Sequence, residues 1–333
     1  VKIQQTYINR CIALSKNGLA AAMPNPSVGA VLVHNNRIIG EGYTSAYGGA
    51  HAEVHAIAFA KAHTPELLTK ATLYVSLEPC SHHGKTPPCA NLIIESGIKH
   101  VVIGCVDPFA KVAGAGIKKL QEAGCRVETG VLEEACVFSH RRFFTFHQKK
   151  RPYIILKWAQ SNDGYIAPKH KTDRSPVWIS NRFSRQLVHK WRSEEMAILV
   201  GAQTVLDDNP SLTTRDWHGK SPLRVVIDSR GNLPDKAAVF DDKAPTLRIS
   251  TTTPERICHI LFEAGIQSVI IEGGAKTLTA FIDADLWDEA RVFTGHISLG
   301  DGVTAPSLPK KSIQTMQEDI MNDTLIYYQN KSL

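Results

Sequence analysis

Short apolar, β-branched runs alternate with helical segments along this chain, and that alternation most narrows the folds open to it. "SVGAVLVHNNRIIGEG" reads as a hairpin turning at Asn35-Asn36. "ATLYVSLE", "HVVIGCVD" and "CRVETGV" read as further strands. Between them, "TYINRCIALSKNGLA" has helical spacing through Tyr7, Cys11 and Leu14, and "AEVHAIAFAKAH" places Val54, Ile57 and Ala58 on one side of a helix. "CANLIIESGI" is helical, and "GAGIKKLQEAG" is a helix closed by Gly124. The pattern then starts afresh. "PYIILKWAQ" is a strand after Pro152, and "SNRFSRQLVHKWRSEE" is a helix with Ser180 as N-cap and Phe183, Leu187, Val188 and Trp191 at helical spacing. "MAILVG", "LRVVIDS" and "SVIIEGG" read as buried strands, and "AKTLTAFIDADL" as a helix. A length of 333 residues suits two domains. The spacing puts their boundary near residues 147 to 151, giving 1–147 and 148–333.

Composition excludes several classes. A chain 43% hydrophobic and 21% charged is of ordinary soluble, globular make-up. No apolar run reaches the ~18 residues of a membrane span, and the first residues lack a secretory h-region. Seven scattered cysteines argue against a disulfide framework, which implies reduced thiols and a cytoplasmic location. The net charge of +6 is a mild excess, densest in "HRRFFTFHQKKR", residues 140 to 151. That run reads as a solvated interdomain connector in preference to a nucleic-acid patch.

The strongest chemical signal lies in "GAHAEVHAIAFA" and "LEPCSHHGKTPPCA". Zinc takes imidazole nitrogen and thiolate sulfur in a tetrahedron, and a catalytic site leaves the fourth corner to water. His51, Cys80 and Cys89 supply three ligands. Glu53 sits two residues past His51, placed to shuttle a proton rather than to ligate. A purely structural site closed by His82 or His83 would leave Glu53 without a role. Cys11, Cys105, Cys125, Cys136 and Cys258 read as small buried hydrophobes, and His55 and His63 as surface or core residues. Water addition to an amidine-like ring carbon with loss of ammonia is the chemistry this set suits.

The pattern resembles the zinc deaminase superfamily, whose His-x-Glu is followed by Pro-Cys-x-x-Cys. Here eight residues, not two, separate Cys80 from Cys89. "EPCSHHGKTPPC" and "PNPSVGAVLV" resemble the deaminase half of the bifunctional riboflavin-biosynthesis pyrimidine deaminase/reductase family, in which the longer loop helps bind substrate. The resemblance implies His51, Cys80 and Cys89 as zinc ligands and Glu53 as proton donor. It implies Asn25, His82 and Lys85 near the substrate, Lys85 toward its phosphate. Thr44 replaces a histidine common in the family, which removes one expected substrate contact.

In the second half, "SVIIEGGAKTLTAF" can lay a phosphate over the amides of a helix N-terminus, although a bare Gly-Gly is most often only a turn. No G-x-G-x-x-G is present. "LKWAQSNDGYIA", "WISN", "ILVGAQTVLDDNPSLTTR", "RVVIDS" and "EGGAKTL" are similar, in this order, to the reductase half of the same family, which has a dihydrofolate-reductase-like fold and uses NADPH. The resemblance implies NADPH contacts at Ala159, Trp178, Thr204, Asp208, Ser229, Gly274, Ala275, Lys276, Thr277, Leu278, Thr279 and Ala280. It implies substrate contacts at Arg192, Leu212, Arg215 and Glu272. Lys157 falls close to the chemistry. Arg192 and Arg215 suit a ribose phosphate, and Glu272 suits ribityl hydroxyls. In "KTDRSPVW", Pro176 stands where a substrate-binding serine is usual, with Ser175 as a substitute after a local shift.

The expectation is an α/β chain. Its first domain is a cytidine-deaminase-like three-layer α/β/α unit and its second is dihydrofolate-reductase-like. Zinc and NADPH are the cofactors. The substrates are pyrimidine ribose phosphates, with no nucleic acid and no membrane, and the assembly is a homodimer or larger. Two rivals are a nucleoside or RNA deaminase with a C-terminal binding module, and a non-catalytic zinc-stabilised interaction protein.

Overall fold

Period-two burial builds the layers of the first half. In a computed structural model that describes residues 2–109, 113–170 and 177–331, strand β1 (Gly29–His34) sends Ala30 and Leu32 to one face and Val31 and Val33 to the other. Strands β3 (Thr72–Leu77) and β4 (His100–Cys105) repeat this, with Leu73, Val75, Val101 and Ile103 opposite Tyr74 and Val102. With β2 (Arg37–Tyr43) and β5 (Arg126–Thr129) they form a sheet of order β2-β1-β3-β4-β5. Strand β1 is antiparallel to β2 and β3, and β3, β4 and β5 are parallel. The turn expected at Asn35-Asn36 closes β1 onto β2 with both residues at positive φ, 46° and 61°.

Helices cover both faces. Helices α1 (Lys2–Ser15), α6 (Glu133–Ser139) and α7 (Arg141–Lys149) bury Ile8, Cys11, Cys136 and Phe144 on one side. A short α2 (Leu19–Ala22) follows α1. On the other face lie α3 (Ala52–His63), α4 (Cys89–Glu95) and α5 (Ala115–Glu122), which bury Ile57, Ile93 and Leu120. Each such side chain contributes roughly 1.5–3 kcal/mol of burial. Helix α3 differs from expectation: its buried side is Ala52, Glu53, Ala56, Ile57 and Ala60, with Val54 half-buried and Ala58 exposed. Alanines set that face, because β2 comes so near that a Cβ on Gly40 would lie 2.3 Å from the Ala56 carbonyl oxygen.

The second half centres on an eight-stranded sheet of order β10-β9-β8-β11-β6-β12-β15-β14. Its parallel part runs through β10 (Thr246–Ile249), β9 (Leu223–Ile227), β8 (Ala197–Gly201), β11 (Ser268–Ile271), β6 (Tyr153–Gln160) and β12 (Glu289–Thr294). Strands β15 (Asp323–Gln329) and β14 (Ile313–Ile320) extend it antiparallel, and β7 (Tyr165–Pro168) pairs with β13 (Gly302–Thr304) separately. Helices α10 (Pro254–Glu263) and α11 (Ala275–Asp283) pack Leu261, Leu278 and Phe281 on one face. Helix α8 (Arg182–Glu194) packs Val188 and Trp191 on the other, and α9 (Ala202–Asp208) adds Val205. The N-cap of α8 is Asn181, not Ser180: Asn181 Oδ1 accepts from the amides of Phe183 (2.9 Å) and Ser184 (3.1 Å).

The chain divides into Val1–Lys149 and Lys150–Leu333. The basic run at this division is not simply solvated. Arg142 is buried in α7, and Arg151 is buried in a two-pronged pair with Asp288, at 2.6 and 2.9 Å. Among the described residues, no helix is long and apolar enough to cross a membrane.

Candidate active sites

Three segments of the first unit converge on one point. His51 stands at the N-cap of α3, Cys80 follows β3 by three residues, and Cys89 opens α4. The Nδ1 of His51 lies 3.6 Å from Cys80 Sγ and 3.3 Å from Cys89 Sγ, and all three donor atoms fall within 4.8 Å of one another. Zinc bonds of about 2.1 Å to nitrogen and 2.3 Å to sulfur, at a tetrahedral angle, separate donors by roughly 3.6–3.8 Å. The donor set therefore fits zinc. Nδ1 is the ring nitrogen that faces the sulfurs, while Nε2 lies 3.5 Å from Thr86 Oγ1. The hydrogen bond from the Cys89 thiol brings Cys80 down to about 4, and the same bond to Cys80 pushes Cys89 far up.

Glu53 lies two residues into the chain beyond His51 and is buried. Burial raises its carboxyl to about 7, and Cys80 pushes the same way. Among the expected substrate residues, Asn25 is half-buried, and His82 and Lys85 are exposed on the loop between the two cysteines. The Lys85 ammonium sits 4.0 Å over the Tyr47 ring. Thr44 turns away from such duty: it is buried, with its hydroxyl 2.9 Å from the Val28 amide.

Sequence reading missed Glu78, the residue before Pro79-Cys80. Its buried carboxylate accepts from the amides of Asp107 (3.2 Å), Gly114 (3.0 Å), Gly116 (2.9 Å) and Ile117 (3.3 Å). It thus caps α5 and ties that helix to the cysteine loop. A Cβ on Gly116 would fall 2.0 Å from the Pro79 carbonyl oxygen, so only glycine permits this approach. Nearby Asp107 is held up at about 6, mainly by burial.

In the second unit, the expected cofactor residues line one edge. Ala159 is the penultimate residue of β6, Thr204 follows β8, Ser229 follows β9, and Gly274 follows β11, all at the carboxyl ends of adjacent parallel strands. That edge is where ligands bind in open α/β sheets. Gly274 caps α11, and its amide donates to Thr204 Oγ1 at 3.0 Å. The first turn, Ala275, Lys276 and Thr277, presents a helix N-terminus suited to phosphate. Leu278 instead enters the core, while Thr279 is exposed and Ala280 half-buried. Asp208 ends α9, and Trp178 is exposed with the Arg185 guanidinium 4.3 Å over its ring. Pro176 and Ser175 lie outside the described residues.

A buried charge cluster lies at the same edge. Glu272 accepts from Arg192 Nε (3.3 Å) and Nη2 (2.9 Å), and Lys157 Nζ lies 3.8 Å away. Burial opposes the charge on Glu272, yet Arg192 and Lys157 outweigh it and hold the carboxyl at about 2. Burial lowers Lys157 in turn. Arg192 is thereby committed to Glu272 and to the Thr213 carbonyl at 3.2 Å, unlike the free phosphate-binding fork expected from sequence. Arg215 remains exposed, held by Ser211 Oγ at 2.9 Å and Thr213 Oγ1 at 3.3 Å. Leu212 is buried at φ 54°.

A zinc-binding α/β unit joined to a parallel-sheet unit with a phosphate-ready edge defines a deaminase fused to a reductase. Comparison with known proteins agrees. Residues 1–105 match the cytidine and deoxycytidylate deaminase zinc-binding region, and residues 152–322 match the RibD C-terminal domain. The riboflavin biosynthesis protein RibD of Aquifex aeolicus is 37% identical, covering 94% of this chain and 92% of that protein. The Bacillus amyloliquefaciens protein is 40% identical, over 92% and 88%. A solved Thermotoga maritima structure, a diaminohydroxyphosphoribosylaminopyrimidine deaminase/5-amino-6-(5-phosphoribosylamino)uracil reductase, superposes with a TM-score of 0.90 at 39% identity, covering 99% of both chains. Acinetobacter baumannii RibD gives 0.88 at 30%, over 98% and 99%. The chain belongs to the RibD family of bifunctional riboflavin-biosynthesis enzymes, a zinc deaminase followed by an NADPH-dependent reductase. The second unit is thus a reductase domain, and the chain is an enzyme in place of a zinc-stabilised scaffold.

Proposed function

We propose that this enzyme first removes the 2-amino group of 2,5-diamino-6-ribosylamino-4(3H)-pyrimidinone 5′-phosphate and then reduces the ribosyl group of the product to ribityl, with the following roles for its residues. Zinc held by His51, Cys80 and Cys89 supplies Lewis acidity that makes water nucleophilic near neutral pH, and NADPH supplies the reducing hydride. Glu53 takes a proton as water adds to C2 of the pyrimidine, gives it to the ring nitrogen, and passes the next to the departing amine. Ammonia leaves, and C2 becomes a carbonyl. Asn25 and His82 orient the ring, and Lys85 meets the phosphate.

In the second unit Thr204, Ser229 and the first turn of α11, Gly274 to Thr277, hold the cofactor, with Ala159, Trp178 and Asp208 beside it. Substrate lies against Leu212, Arg215 and the Lys157–Glu272–Arg192 cluster. Reduction at ribose C1′ would open the C1′–O4′ bond, and O4′ would gain a proton for which Lys157 is the acid this set supplies. Arg215 carries the phosphate contact, because Arg192 is already engaged by Glu272. Cytoplasmic residence, supported by seven free thiols, homodimeric or larger assembly, and the absence of a nucleic-acid partner belong to the same reading.

The observation that carries it is the His51–Cys80–Cys89 donor set with a buried carboxylate beside it. The test is to assay both half-reactions on the diaminopyrimidine phosphate. Ammonia release without NADPH, followed by loss of absorbance at 340 nm when NADPH is added, is the expected result. Ammonia release without any NADPH oxidation defeats the reductase half, and NADPH oxidation ahead of ammonia release defeats the proposed order.

A further inference from the structure

One buried imidazole in the second unit has both ring nitrogens directed to the segment that carries Arg215. His189 lies on α8 three residues before Arg192 and is 4% exposed. Its Nδ1 accepts a hydrogen bond from the Arg215 backbone amide at 3.1 Å, and its Nε2 lies 3.4 Å from Asp216 Oδ2. An accepting Nδ1 carries no proton, so the ring is the Nε2–H tautomer with its proton toward Asp216. Burial, with Arg192 and Arg215 adding, holds its pKa down at about 4, which keeps the ring neutral and Nδ1 free to accept.

The segment it grips lies between α9 and β9 and has no regular structure of its own. Side chains therefore fix it. Arg192 Nη1 donates to the Thr213 carbonyl at 3.2 Å, and the Thr214 amide donates to Ser221 Oγ at 3.1 Å. The Arg215 guanidinium is aimed by Ser211 and Thr213, whose hydroxyls lie 2.9 Å apart. His189 anchors the backbone end of that chain of contacts. A histidine serving only the core would bond core groups, yet this one addresses two consecutive residues of a loop whose first member is an exposed cation.

We infer that His189 is a positioning residue for the reductase reaction: it fixes the backbone at Arg215 so that the guanidinium meets the substrate 5′-phosphate already aimed. This rests on the reading of Arg215 as the phosphate contact. Loss of one such hydrogen bond, with the freedom it releases, weakens binding about 5- to 10-fold.

The test uses the full-length, zinc-loaded enzyme and follows NADPH oxidation with the deaminated substrate and with its dephosphorylated counterpart. His189→Leu raises KM for the phosphorylated substrate about tenfold, leaves kcat and the KM for NADPH within about twofold, and leaves the dephosphorylated substrate unaffected. His189→Asn, whose Oδ1 can stand in for Nδ1, restores most of the loss, whereas His189→Gln does not. If His189→Leu fails to fold, that Asn and Gln pair decides, and equal KM values for the two overturn the inference. An unchanged KM in His189→Leu while Arg215→Met raises it also overturns the inference and leaves the Arg215 reading standing. An unchanged KM in Arg215→Met removes the Arg215 reading and the inference with it. A fall in kcat alone, or equal effects on both substrates, overturns the positioning role.

Discussion

The two units hold charge away from water by opposite means. In the first, donors from three nearby segments converge to share a cation; Cys89 and His51 are only 38 residues apart. In the second, opposite charges fill each other's needs, with Arg192 and Glu272 meeting from 80 residues apart. The first site is built to hold a metal. The second sets one carboxylate between two cations before any ligand binds, which leaves the cluster net positive. Mutation should therefore remove a function cleanly from the first unit, but disturb both function and stability in the second.

The sharpest way to break that contrast is Cys89→Ala. Zinc content falls from about one per chain to near zero and ammonia release disappears, while NADPH oxidation with supplied deaminated substrate persists. Metal analysis and the two assays check it, and loss of both activities would erase the contrast. Glu272→Gln comes next. It leaves Lys157 and Arg192 buried without a counter-charge, which costs roughly 3–5 kcal/mol of stability. Reductase kcat/KM falls on the order of a hundredfold with ammonia release unchanged, read by denaturant unfolding and paired assays.

A smaller effect separates the units by pH. His140 is buried in the first unit beside Ser76 Oγ at 3.2 Å, and burial lowers its pKa from 6.5 to about 4. Because the folded pKa is depressed, the unfolded chain takes the proton first as pH falls. Stability is lost between pH 6.5 and about 4, and this group adds no further slope below that. The loss amounts to about 3 kcal/mol, at ~1.4 kcal/mol per pKa unit. His140→Gln flattens that slope in urea titrations of the first unit's transition, and an equal slope in the variant contradicts the assignment.

Much of this contrast was legible in the sequence, for physical reasons. Thiols and imidazoles are rare enough that His51, Cys80 and Cys89 declare a metal, and Asn35-Asn36 declares its turn because asparagine tolerates positive φ. Commoner residue types hide their roles until the fold brings partners. Glu78 resembles any acid before a proline, since its four amides come from about thirty to forty residues downstream. Arg151 looked solvated because Asp288 lies 137 residues away. The phase read for helix α3 from Val54, Ile57 and Ala58 was off because small alanines, not large side chains, pack it against β2. Arg192 looked like a phosphate ligand, and only the approach of Glu272 shows that its fork is occupied.

The most direct measurement pairs metal content with ammonia release in Glu53→Gln. With the imidazole and both sulfurs intact, the variant should retain about one zinc per chain and lose ammonia release by at least about a thousandfold. Retained zinc with near wild-type release would contradict the account, because the buried acid at the open corner would then have no part in the chemistry.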